Sequence, residues 1–92
     1  MIVSFRSRAL KRYWERSETR RVPAEYAVRI GMILDRLDTA TEPRQMNATG
    51  LRFHALTGNL KGRYAVNVSA NWRITFGWLA QDAIDVDLED YH

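Results

Sequence analysis

A chain of 92 residues with 46% hydrophobic and 11% aromatic content suffices for one domain with a small core, and is too apolar for disorder. No cysteine is present, which excludes disulfides and thiolate metal sites and fits a reducing cytoplasm. No stretch approaches the roughly 20 apolar residues of a membrane span, and Met1-Ile2-Val3-Ser4-Phe5-Arg6 lacks the apolar region of a signal peptide.

The net charge of +3 conceals an asymmetry. Residues 1–81 hold fourteen bases against six acids, a balance of +8, whereas residues 82–92 hold five acids and no Lys or Arg. Twelve of the bases are arginine, whose planar fork can hold a phosphate bidentately. A body of this kind points to a polyanionic partner, most often nucleic acid.

Ile2-Val3-Ser4-Phe5 predicts a short N-terminal strand. Ser7 then suits the N-cap of a helix in which Leu10, Tyr13, Trp14 and Ser17 share one face. Arg8, Lys11, Arg12, Glu15 and Arg16 fall on its other faces. Ser17 to Val22 breaks the pattern. Pro23 fits the first turn of a second helix, because its missing N–H costs nothing there. The buried face of that helix is Ala27, Ile30, Leu34 and Leu37, flanked by Tyr26 and Ile33. Gly31 is tolerated inside it at about 1 kcal/mol relative to Ala. The helix ends near Thr39–Ala40, since Pro43 biases Glu42 away from helical geometry.

From Gly50 the apolar period changes to two, the spacing of a strand. Leu51, Phe53 and Ala55 point one way, and Arg52, His54 and Leu56 the other. Thr57-Gly58-Asn59 reads as a turn. Tyr64, Val66 and Val68 alternate with Arg63, Ala65 and Asn67. After Ser69-Ala70-Asn71, Trp72, Ile74, Phe76 and Trp78 alternate with Arg73, Thr75 and Gly77. Ala80-Gln81-Asp82 turns into a last strand, where Ile84, Val86 and Leu88 alternate with Asp85, Asp87 and Glu89. The expected architecture is α+β. An N-terminal strand and a helical hairpin pack on one face of a mainly antiparallel, twisted sheet, within a single domain spanning 1–92.

If the helices cover the face carrying Trp72, Ile74, Phe76, Val66, Val86 and Leu88, the opposite face presents Arg52, His54, Arg63, Asn67 and Arg73. The last strand leads to Asp90, Tyr91, His92 and the α-carboxylate. Two imidazoles, a phenol, a carboxylate and several guanidinium groups are the parts for cleaving RNA without a metal. The ribose 2′-OH must lose a proton to attack phosphorus, and the departing 5′ oxygen must gain one. Histidine can serve either transfer near neutral pH, and fixed cations stabilise the charged phosphorane.

The residues also carry a family resemblance. Gly50-Leu51-Arg52-Phe53-His54-Ala55-Leu56, the spaced Gly58 and Gly62, Val66-Asn67-Val68-Ser69, Asn71-Trp72-Arg73-Ile74-Thr75-Phe76 and Asp85-Val86-Asp87-Leu88-Glu89-Asp90-Tyr91-His92 resemble the HigB toxins of the RelE superfamily. The resemblance covers nearly the whole chain and implies the toxin half of a toxin–antitoxin pair. It implies a ribosome-dependent endoribonuclease that cuts mRNA in the A site, with no cofactor. The implied toxin is itself monomeric and is neutralised in a heteromeric complex by a helix-turn-helix, HigA-like antitoxin. Carried over position by position, the catalytic residues are His54, Asp90, Tyr91 and His92. Arg73 matches the residue expected to hold the scissile phosphate. One position departs from the pattern: many members carry Lys in the turn where this chain has Thr57, which leaves Arg52, Lys61, Arg63 or Arg73 to bind phosphate.

Of the two histidines, one is expected to be general base and the other general acid. Asp90 and the terminal carboxylate favour protonated His92, which suggests His92 as the acid. Three other readings compete. A non-catalytic RNA- or ribosome-binding module, or a decayed toxin that still binds its antitoxin, would keep the basic surface. Metal-dependent hydrolysis with His54, Asp90 and His92 as ligands lacks any diagnostic spacing.

Overall fold

The computed structural model describes residues 1–90. Helix α1 spans Arg8–Arg16 and begins where expected: Ser7 Oγ accepts the Leu10 N–H at 3.1 Å. It stops at Ser17, which takes a left-handed φ of 58° and returns its N–H to carbonyls of the last turn. Helix α2 spans Ala27–Thr39. Pro23 caps a separate 3₁₀ turn at Ala24–Tyr26, so the α-helix proper starts one turn later than its periodicity suggested. The two helices are tied where they meet, because Tyr13 Oη donates to Ala27 O at 2.6 Å.

Four antiparallel strands follow, in the order β1-β2-β3-β4: β1 His54–Ala55, β2 Arg63–Asn67, β3 Trp72–Leu79 and β4 Asp82–Asp90. Leu10 of α1 and Ile30, Ile33, Leu34 and Leu37 of α2 bury against Val66, Ile74, Phe76, Ala83 and Val86 of the sheet. Burying each large side chain of this set contributes about 1.5–3 kcal/mol before chain entropy is subtracted. At one end of this inner face Phe53, Tyr64 and Phe76 stack in file, with centroids 5.7 and 5.8 Å apart. The α+β architecture expected from the periodicities is therefore the observed one.

Three local features differ from simple alternation. The N-terminal segment forms two isolated parallel bridges to β4, Ile2 to Ala83 and Phe5 to Val86, in place of a continuous strand. The interruption lies opposite a bulge. Thr75 pairs with Asp87 and Gly77 with Ile84, so β4 carries one residue more than β3 over this interval, and Asp85 has a φ of 50°. Beyond the bulge the parity inverts. Ala83 faces the core, and Ile84 moves to the outer face, opposite Gly77. The expectation that Ile84 shares the buried face of Val86 and Leu88 is thereby corrected. Arg52 also has a positive φ, 50°, so β1 begins only at His54, and the alternation drawn from Gly50 onward does not extend to Arg52.

Candidate active site

Cross-strand partners share a face, so the registers define the outer surface of the sheet. His54 pairs with Ala65, Ala65 with Thr75, and Thr75 with Asp87. One row further along, Asn67 pairs with Arg73 and Arg73 with Glu89. His54, Arg63, Asn67, Arg73 and Glu89 therefore lie on the side away from the helices, as parity predicted.

His54 is exposed, and its Nδ1 lies 2.9 Å from Arg52 O. A carbonyl only accepts, so this bond requires the proton on Nδ1 and leaves Nε2 with its lone pair in the neutral ring. The left-handed turn at Arg52 brings that carbonyl back toward the ring two residues later. A Gly is the usual occupant of such backbone; arginine here is a local strain next to a candidate base.

The outer face is less bare than alternation suggests. Ala65 and Thr75 have no exposed surface, and the Thr75 hydroxyl is engaged by the long side chains of Arg63 and Glu89. Arg63 Nη2 donates to Thr75 Oγ1 at 3.0 Å and to Asp85 O at 2.9 Å. Burial, then the nearby Arg6 charge, lowers the Arg63 pKa from its ordinary value. Arg73 donates through Nε and Nη2 to Glu89 Oε1, at 3.1 and 2.9 Å. Thr75 Oγ1 donates to Glu89 Oε2 at 2.9 Å. Arg63 and Arg73 are thus held within the sheet, whereas Arg52 and Lys61 are exposed in the segments flanking β1. Thr57 precedes the 3₁₀ turn Gly58–Leu60 and makes no side-chain capping bond there.

His54 and Asp90 occupy opposite edges of the four-stranded order, with the Arg63–Thr75–Glu89–Arg73 network between them. Asp90 pairs with Trp72 and so shares the parity of the helix-facing side, while remaining exposed. Tyr91 and His92 lie outside the described residues. Glu89 and Thr75 were not singled out by the sequence. Their register opposite Arg73 and Asp87, once the last two strands are paired antiparallel, is the signal that could have found them.

The acidic residues of β4 serve largely as internal partners. Asp82 lies 3.4 Å from the terminal amine, Asp85 Oδ1 accepts from Ser4 Oγ, Asp87 Oδ1 accepts the Leu88 N–H, and Glu89 holds Arg73. The exposed bases Arg8, Lys11, Arg12 and Arg16 of α1 line a shallow open surface with Glu15 as its one acid. Among the described residues no group of three or more His, Cys, Asp or Glu is placed to hold a metal ion, and no helix is long and apolar enough to cross a membrane.

A two-helix, four-stranded α+β domain with a histidine on the uncovered sheet face and a basic helical surface is consistent with the RelE-like class of small toxins. Residues 3–92 match the family model of the RelE-like toxin of type II toxin–antitoxin system HigB. Over 92 residues, the whole of both chains, the sequence is 41% identical to Endoribonuclease HigB of Proteus vulgaris. The chain belongs to the HigB-like toxin family.

Proposed function

We propose that this toxin is an endoribonuclease that enters the ribosomal A site in the cytoplasm and cuts the mRNA there by acid–base chemistry without a metal. The observation that carries this reading is the fixed ring of His54, whose Nε2 is left as an acceptor on the open sheet face. In the step, Nε2 takes the ribose 2′-OH proton, the 2′ oxygen attacks phosphorus, and the bond to the 5′ oxygen breaks as that oxygen receives a proton. The products are a 2′,3′-cyclic phosphate and a new 5′-OH. His92 is the proposed proton donor, with Asp90 and Tyr91 completing the site. The tautomer at His54 supports this division of roles, which residue types alone left open.

Arg73 is the proposed phosphate contact, with exposed Arg52 and Lys61 adding charge. Arg63 is the weakest candidate of the four, because its guanidinium is occupied by Thr75 and the bulge carbonyl. The basic face of α1 supports a further contact with ribosomal RNA. The partner proposed from family membership is a helix-turn-helix antitoxin of the HigA type. Alignment of the mRNA by the ribosome supplies the positioning that a shallow site lacks, so free RNA is cut poorly.

The test uses ribosomes programmed with a defined mRNA. New 5′ ends are mapped by primer extension with the wild type, His54→Ala and His92→Ala. Cuts at the A-site codon that disappear in both variants are expected. Binding without cleavage by the wild type would favour a non-catalytic module, and cleavage surviving both substitutions would overturn the assignment of the histidines. A C-terminal extension placed on His92 is expected to slow cutting.

A further inference from the structure

Thr75 is a threonine on the outer face of a central strand, yet it has no exposed surface. Its hydroxyl accepts from Arg63 Nη2 at 3.0 Å and therefore spends its single proton on Glu89 Oε2, at 2.9 Å. The other Glu89 oxygen receives both Nε and Nη2 of Arg73. Both oxygens of the carboxylate are thus engaged by two residues of β3, Thr75 and Arg73, which fixes its plane. A carboxylate held at one oxygen alone would rotate about its terminal torsion, which is broad. Arg63 is in turn anchored on the main-chain oxygen of Asp85, the residue at the β4 bulge. The order Asp85 O, Arg63, Thr75, Glu89, Arg73 runs without a break across β2, β3 and β4.

We propose that Thr75, acting through Glu89, is a positioning residue that holds the Arg73 guanidinium in the orientation needed at the scissile phosphate. The inference rests on the phosphate-contacting role proposed for Arg73. Thr75 is fully buried, so it does not touch RNA, and any effect of its hydroxyl on cleavage travels through Glu89 or Arg63. The two anchoring bonds to carboxylate and guanidinium are charge-assisted and hence stronger than neutral ones. The bulge contributes as well: by shifting β4 one residue relative to β3, it presents the Asp85 carbonyl to Arg63 at the point where regular pairing would have consumed it.

The test compares Thr75→Val, which keeps the volume and removes the hydroxyl, with Thr75→Ser, which keeps the hydroxyl and removes a methyl. Cleavage of ribosome-bound mRNA is followed at saturating and subsaturating ribosome concentration, and rates are corrected for the folded fraction measured by thermal unfolding. Thr75→Val is expected to lower kcat by about ten- to a hundredfold with KM nearly constant, the pattern of a misplaced group rather than lost binding. Thr75→Ser is expected to retain most of the wild-type kcat. Equal losses in the two variants, a loss confined to KM, or no loss in Thr75→Val would overturn the proposal. Arg73→Ala run alongside separates the layers. If it cuts like the wild type, the role of Arg73 fails and this inference with it; if it is impaired while Thr75→Val is not, only the inference fails.

Discussion

The Asp85 N–H donates to Ser4 Oγ at 2.8 Å, and the Ser4 hydroxyl reaches Asp85 Oδ1 at 3.3 Å, joining residues 81 positions apart in the chain. The contact sits at the bulge, where Asp85 is left-handed and its N–H is turned away from the β3 ladder. The N-terminus thus supplies the acceptor that the bulge removed. Ser4→Ala is expected to destabilise the domain by about 1 kcal/mol, the net worth of one such bond. In a domain of this size that lowers the thermal midpoint by roughly 4–8 °C, which differential scanning calorimetry would register.

Gly31 and Tyr13 set up a double-mutant cycle. A Cβ at Gly31 would lie 2.7 Å from Tyr13 Oη but 3.5 Å from the ring carbon behind it. In the wild type, Gly31→Ala must displace a hydroxyl bonded to Ala27 O, and is expected to destabilise. In a Tyr13→Phe background the obstruction is gone. There the same substitution should gain up to about 1 kcal/mol from helix propensity. Urea unfolding of the four proteins reads the sign change, and additivity would show that the contact is unimportant.

His54 is exposed, and among the described residues its ring is bonded to a carbonyl two residues away. His54→Ala should leave the thermal midpoint within experimental error. Its cleavage rate on programmed ribosomes should fall by about 10²–10⁴-fold, the range for loss of a general base. A large drop in stability with a proportionate loss of activity would instead indicate a structural histidine.

Thr57 stands where many relatives of the resemblance carry lysine, and its side chain makes no capping bond in the 3₁₀ turn that follows. Thr57→Lys should therefore fold as well as the wild type and cut faster, with the gain greatest at low salt because the added charge acts on phosphate. Unchanged rates at every ionic strength would show that Arg52, Lys61 and Arg73 already saturate that contact.

Arg63 illustrates a penalty built into the same face. Burial and the Arg6 charge both disfavour its charged form, so the folded state holds that proton less tightly than the unfolded chain does. By linkage, stability rises with pH only in the strongly alkaline range where the folded group begins to titrate; through neutral pH the penalty is constant. Arg6→Gln removes part of it, and should raise the urea midpoint most at low salt. A lowered midpoint would mean that Arg6 has favourable partners that outweigh its repulsion of Arg63.

Much of the architecture was legible in residue spacing because the relevant forces are local. Ser7 with Leu10 three residues on is a cap by stereochemistry. Ile30, Leu34 and Leu37 repeat at helical intervals, and Tyr64, Val66, Ile74 and Phe76 at strand intervals, because each must reach one core. Parity likewise placed His54 and Arg73 on the open face. What spacing missed begins at Asp85. A single left-handed residue inserted into β4 moves Ile84 outward and Ala83 inward. Nothing in an alternating Ile-Asp-Val-Asp pattern announces it, because the bulge is decided by hydrogen bonds to Ser4 and Arg63, distant in the chain.

The sequence by itself determined the fold class, the helix and strand faces, the family, and the candidate histidine on an uncovered strand, since these follow from periodicity, turn chemistry and motif. Only the tertiary structure decided which donors meet which acceptors. Arg73, open to phosphate by composition, is clamped by Glu89 through a buried Thr75. His54, a titratable ring in either tautomer by composition, has its proton directed to Nδ1 by a left-handed turn at Arg52. The physical reason is that hydrogen bonds are short and directional, so their partners are set by strand register and backbone dihedrals, which apolar periodicity constrains only to the nearest face.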